Sequence, residues 1–145
     1  MRSSIKKGFT LIELLIVIAI IGILASILVI SLRQASDNSK NTKIITNLVE
    51  IRKIAEQIYI EKVNGYEDLC VGTNLNTSEY DVLGVLKTDI ELYAGADSIT
   101  CQANRSSYCV SSSLVGGLEY ICIDEEGNAI EVDSNPCVSA DSICQ

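Results

Sequence analysis

The sequence predicts an α+β fold, in which one long N-terminal helix, first transmembrane and then amphipathic, packs on a small antiparallel β-sheet held by disulfides. Three observations predict it. From Phe9 to Leu32 the chain is apolar for 24 residues except at Thr10, Glu13, Ser26 and Ser31. Ile44, Leu48, Ile51, Ala55 and Ile58 then recur at intervals of three and four, the spacing of one helical face. All six cysteines (Cys70, Cys101, Cys109, Cys122, Cys137 and Cys144) follow residue 65, among short β-prone runs.

The apolar run comes first. At about 1.5 Å per residue it reaches roughly 36 Å, against a bilayer hydrocarbon core of about 30 Å. Arg2, Lys6 and Lys7 precede it, which predicts an N-terminus in the cytoplasm and the remaining chain outside. A secretory signal would end its apolar region after about 7 to 15 residues at an Ala-x-Ala-like site, and none follows here. The helix is expected to continue over residues 33–63, with Lys43, Glu50, Lys53, Glu56, Gln57 and Glu61 mostly opposite the apolar stripe. Ser36, Asp37, Asn38 and Ser39 are poor helix formers and are expected to mark a bend or break. No proline lies between Phe9 and Val63, and Gly65 in Asn64-Gly65-Tyr66 supplies the glycine expected just past a helix C-terminus.

Residues 66–145 are expected to form a β-rich head covering that stripe. The runs are YDVLGVL from Tyr80, SYCVSSSL from Ser107, LEYICID from Leu118 and AIEV from Ala129. Val115-Gly116-Gly117 and Glu125–Asn128 separate the last three, so a three-stranded antiparallel meander is expected. In the third run Tyr120 and Cys122 share one face, Ile121 and Ile123 the other. Cys70 to Thr100 reads as a loop with at most a helical turn. With one phenylalanine and no tryptophan the core is thin, so disulfides and the helix stripe must supply much of its stability.

The cysteines show no C-x-x-C and the chain has no histidine, which argues against a structural zinc site and for three disulfides. Six cysteines allow 15 connectivities; the expected pairs are Cys109 with Cys122 across the hairpin, and Cys137 with Cys144. Without histidine, Ser-His-Asp and Cys-His catalysis are excluded, leaving only paired carboxylates such as Glu125 and Asp133. No enzyme activity, cofactor or metal site is expected: Asp124 to Asn128 with Asp133 offers oxygen ligands but reads better as a solvated turn. The net charge is −8, and the chain after residue 8 sets eight basic residues against 19 acidic ones, for −11. Such a surface repels polyanions, so nucleic-acid binding is not expected, while Arg33, Lys40 and Lys43 read as a solvated juxtamembrane face.

KKGFTLIELLIVIAIIGILA, from Lys6, strongly resembles the class III signal of type IV prepilins and the related pseudopilins. The resemblance is tight over residues 1 to about 40; beyond that it is one of architecture, a pilin-like helix and sheet. It implies a basic leader, residues 1–8, cut by a membrane peptidase between Gly8 and Phe9, and methylation of the new N-terminus at Phe9. It further implies that Glu13 of an incoming subunit pairs with the Phe9 amine of one already in a filament, fixing axial register, with Thr10 at the same interface. The implied function is a structural subunit of a type IV pilus serving adhesion, twitching motility or DNA uptake, with a type II secretion pseudopilin as the alternative. A membrane-anchored adhesin or enzyme that does not polymerise is the alternative of another class. The implied partners are further copies of the chain, the prepilin peptidase and methyltransferase, an inner-membrane assembly platform and minor pilins. The implied location is a single inner-membrane pass, then the extracellular filament. Many family members carry a proline midway along the apolar helix; this chain has Gly22 and Ser26 there and no proline.

Overall fold

The computed structural model describes residues 8–117, 119–138 and 144. Helix α1 (Leu11–Glu61) runs through Ser36–Ser39 without the expected break. Within that segment the Asp37 side chain pairs with Lys40 at 3.2 Å, one turn on along the helix, and the Asn38 backbone carbonyl accepts from the Thr42 hydroxyl at 2.9 Å. The chain resolves into two compact units, residues 1–36 and 37–145.

In the second unit the five stripe residues Ile44, Leu48, Ile51, Ala55 and Ile58 are the buried residues of α1. Each large aliphatic among them contributes about 1.5–3 kcal/mol by leaving water. After α1 a 3₁₀ turn (Gly65–Leu69) leads to a two-stranded ribbon, β1 (Cys70–Val71) and β2 (Asn74–Leu75). Gly65 has φ of +66°, and a Cβ there would collide with the carbonyl oxygen of Arg105, so the turn accepts only glycine.

Helix α2 (Asp81–Ala94) follows, where the sequence was expected to give a β-prone run inside a loop. Its apolar residues obey a helical rather than an alternating period: Leu83 and Ile90 are fully buried, and Leu86 and Ala94 pack on the same core. Gly95, with φ of +103°, ends the helix by donating its N–H to the Glu91 carbonyl at 3.0 Å.

A four-stranded antiparallel sheet completes the unit, in the order β3 (Ile99–Ala103), β4 (Tyr108–Ser113), β5 (Tyr120–Asp124), β6 (Ala129–Val132). The last three form the expected meander; β3 lies partly in the segment expected as loop. Its signal, Ile99 and Cys101 buried on alternate positions, is too short to stand out beside Thr100 and Gln102. Register aligns Cys101, Val110 and Ile123, and this face packs on the helix stripe. The opposite face carries Cys109 and Cys122, which form a separate buried cluster with Cys137 and Cys144. Asn135 fastens the returning C-terminal segment: its side chain accepts from the Ser111 hydroxyl at 2.7 Å and the Cys137 N–H at 3.1 Å, and donates to the Thr100 hydroxyl at 2.8 Å.

The disulfides are Cys70–Cys101, Cys109–Cys137 and Cys122–Cys144. The expected pairs Cys109–Cys122 and Cys137–Cys144 are therefore incorrect. Across β4 and β5, Cys109 faces Asp124 and Cys122 faces Ser111, so the two cysteines are diagonal neighbours. Diagonal positions lie about 7–8 Å apart, beyond the usual Cα separation of a bridge. The folded-back segment instead brings Cys137 to Cys109, with Cα atoms 5.5 Å apart, and Cys144 to Cys122 at 5.7 Å.

Three tyrosines cluster beside the helix end: Tyr59 stacks on Tyr66 with ring centroids 4.6 Å apart, and Tyr66 meets Tyr108 in a tilted contact at 4.8 Å. Burial, then the hydrogen bond donated to Glu56, pushes Tyr66 from 10.0 up to about 12. Burial raises Tyr108 as well. A raised phenol stabilises the fold fully below the unfolded value, and that stability is lost as pH climbs from there through the folded value. Unfolding midpoints in detergent should thus fall between pH 10.0 and about 12, with Tyr66 ionising late in an ultraviolet titration. A flat midpoint over that window would refute the coupling.

Candidate functional site: the N-terminal assembly segment

Gly8, Phe9 and Thr10 precede the first turn of α1, and the apolar run behind them is exposed throughout residues 9–32. Phe9 is 76% exposed, and large apolar side chains continue in the same state to Leu32. Among the described residues this is the one helix long and apolar enough to cross a membrane.

Thr10 and Glu13 form a reciprocal cap. The Thr10 N–H and hydroxyl both donate to Glu13 Oε2, at 2.9 and 2.7 Å, and the Glu13 N–H donates to the Thr10 hydroxyl at 3.3 Å. This is the Thr-x-x-Glu capping box: the glutamate sits at the third helical position and satisfies the N–H of the capping residue. It also lies where the positive end of the helix dipole favours an anion. The T-x-x-E spacing signals this bond, which the interface roles expected of Thr10 and Glu13 do not include. Both donors use Oε2, and Oε1 accepts nothing among the described residues. The carboxylate thus has local partners for one oxygen and room for a cation at the other.

Gly22 is within α1, and apart from its chain neighbours and the backbone of its own helix nothing among the described residues lies within 4 Å of where its Cβ would be. The Ser26 hydroxyl donates to the Ile23 carbonyl at 2.7 Å, so the polar atom in the apolar stretch is satisfied inside the helix.

The other candidate constellations are occupied by structural bonds. The Asp124 carboxylate accepts the Asn128 N–H at 3.1 Å and its side-chain amide at 3.3 Å, while Arg52 donates to the Gly127 carbonyl at 2.6 Å. Glu125 accepts the Tyr108 N–H at 3.2 Å. The sulfurs of Cys109, Cys122 and Cys137 lie within 4.8 Å of one another, but each belongs to a disulfide and offers no thiolate to a metal.

Residues 3–29 match the family described as the prokaryotic N-terminal methylation motif. Over 111 residues the chain is 35% identical to the type IV wide pilus major component PilA4 of Thermus thermophilus, covering 77% of this chain and 76% of that protein. The chain belongs to the type IV pilin family. Other relatives match over shorter stretches: a fimbrial protein of Pseudomonas aeruginosa is 36% identical over 77 residues, 53% of this pilin and 47% of that protein. The type II secretion system core protein G of Klebsiella michiganensis is 33% identical over 61 residues, 42% of this pilin and 43% of that protein. Against these last two the pilin chain spans less than half of the relative's length.

Proposed function

We propose that this type IV pilin is a structural rather than catalytic subunit, made as a membrane-anchored precursor and polymerised into a surface filament once its leader is removed. The observation that carries the reading is the run from Phe9 to Leu32, exposed in the isolated chain yet as apolar as a protein core. The bilayer covers it in the precursor, and neighbouring copies cover it in the filament. A heterologous contact that does not close produces a filament rather than a ring.

Arg2, Lys6 and Lys7 hold the leader in the cytoplasm, and the head lies outside, where disulfides persist. Before assembly the Thr10 donors reduce the cost of carrying Glu13 into the membrane face. Cleavage between Gly8 and Phe9 then creates a cationic amine, methylated at Phe9. Glu13 of an incoming subunit, with Oε1 free, pairs with that amine on a subunit already in place and sets the axial register. The peptidase, an inner-membrane assembly platform and minor pilins are the partners this route requires.

A second reading, a secretion pseudopilin, is favoured by the likeness to core protein G, but that likeness covers 42% of this chain against 77% for the pilus component. Electron microscopy of sheared surface material, with mass analysis of its N-terminus, tests the choice. Long fibres starting at N-methyl-Phe9 are expected; an intact Met1 in assembled protein would refute the processing step. Gly8→Val, whose branched side chain blocks a junction built for glycine, should leave all of the protein as uncut precursor in the membrane. Normal cleavage of that variant would place the cut elsewhere.

A further inference from the structure

The end of α1, the turn after it and the loop between β3 and β4 enclose a pocket of about 310 Å³, lined by Tyr59, Lys62, Val63, Gly65 and Arg105. Its volume is at the lower end of the range that holds small molecules, about 300–1,000 Å³. No carboxylate lines it, whereas the groove beside Ile58 carries Glu61 and the one beside Leu114 carries Glu119 and Glu131.

The fold holds the two chemically distinctive walls in place. The Asn104 side chain accepts the N–H groups of Ser106 and Ser107 at 2.8 and 2.9 Å, which fixes the tight loop carrying Arg105. The exposed Arg105 guanidinium donates to the Val63 carbonyl at 3.1 Å, its one side-chain partner among the described residues. Most donors of the guanidinium fork therefore remain for a ligand. Lys62 differs, because its ammonium pairs with Glu79 at 2.6 Å and its charge is already matched. The uncompensated charge of the pocket is that of Arg105. Tyr59 stacks one ring face on Tyr66 and is 49% exposed, so its other face is open to solvent.

These features select a ligand class. A guanidinium fork takes a carboxylate through two parallel hydrogen bonds. An aromatic face, negative at its centre, attracts the C–H groups on one side of a sugar ring. The lining is more polar than apolar, which suits a rim of hydroxyls better than the bare flank of a fatty or aromatic acid. One unmatched cation serves one carboxylate, whereas a polyanion would find a single partner here and repulsion from a chain carrying −11 after residue 8.

We propose that this pocket binds an acidic sugar of the uronate class, with its carboxylate on Arg105 and its ring against Tyr59. The ligand is a free uronate or a uronate residue of a polysaccharide, and the recognised chemistry is the same. All five lining residues belong to the compact unit 37–145, so the site does not rest on the filament reading.

Titration of the full-length chain in detergent, followed by amide NMR shifts, tests this with glucuronate, glucose, acetate, phosphate and an oligothymidylate as probes. Glucuronate should shift residues 59–66 and 104–107 and bind at least about tenfold more tightly than glucose, which lacks the charged partner. Arg105→Gln should abolish that preference, while Tyr59→Ala should weaken both sugars and keep it. The comparison on the unmodified chain decides the matter even where a variant loosens the turn. Equal binding of glucose and glucuronate, binding of neither, or shifts confined to other parts of the chain would overturn the site. Acetate or phosphate bound as tightly as glucuronate would overturn the sugar, and a preference for the oligothymidylate would make the pocket a nucleic-acid contact instead. A glucuronate-ended tetrasaccharide bound more tightly than the free acid would support the proposal with a polysaccharide as the source; equal binding would support it with the free sugar.

Discussion

Glu13→Gln should leave membrane insertion intact and lower filament yield by at least about a hundredfold. A glutamine at the third helical position still completes a capping box with Thr10, so the start of α1 is kept and only the charge is removed. Insertion loses nothing, because a neutral amide enters hydrocarbon more readily than a carboxylate. Under the proposed pairing, assembly loses the partner of the Phe9 amine. Removing one member of a buried ion pair costs about 3–5 kcal/mol, and each 1.4 kcal/mol is about a factor of ten in an equilibrium. Glu13→Asp, with the charge on a shorter arm, should be intermediate. Comparing membrane and sheared-fibre levels of each variant in cells with an active peptidase decides the matter. Fibre at the wild-type level from Glu13→Gln would reduce the carboxylate to a helix cap.

Loss of Cys137 alone should destabilise the head more than loss of Cys109 and Cys137 together. Either change opens a bridge closing 28 residues, which costs about 2–5 kcal/mol in a domain of this kind. The single Cys137→Ala variant also leaves the Cys109 thiol 3.3 Å from the Cys122 sulfur. That thiolate can attack the Cys122–Cys144 bridge and release the Cys144 thiol, and because the two cysteines are diagonal neighbours the resulting Cys109–Cys122 disulfide forms only with a backbone shift of β4 against β5, a further cost to the head. The double variant Cys109→Ala/Cys137→Ala has no attacking thiol and should retain Cys122–Cys144. Peptide mapping without reductant, with unfolding midpoints in detergent, measures both. Equal midpoints and an unchanged Cys122–Cys144 peptide in the single variant would rule out the exchange.

Much of the architecture was legible because it depends on local pattern. The helical period of Ile44 to Ile58 can bury only one face, and those residues are the buried ones. The meander was legible from alternation in Tyr120 to Ile123 and from glycine-bearing turns such as Glu125–Asn128, where Gly127 takes φ of +89°. Helix α2 was misread because YDVLGVL is too short for its period to show until Ile90 and Ala94 extend it. The continuity of α1 through Ser36–Ser39 was equally hidden, since these residues favour caps only as a weak local preference, and Asp37 finds a helical partner in Lys40.

The sequence by itself determined the membrane-length apolar run, the prepilin-type signal around Gly8 and Phe9, the isolated carboxylate at Glu13 and the helical face that makes the core. Each follows from residue type and spacing along one element. Tertiary structure alone decided the disulfide pairing and which apolar residues of α2 are buried, Leu83 and Ile90, and which stay exposed, Val82, Val85 and Leu92. These depend on distances between segments far apart in sequence. A register shift of two residues between β4 and β5, or the path of the segment fastened by Asn135, changes which cysteines meet without changing any local pattern.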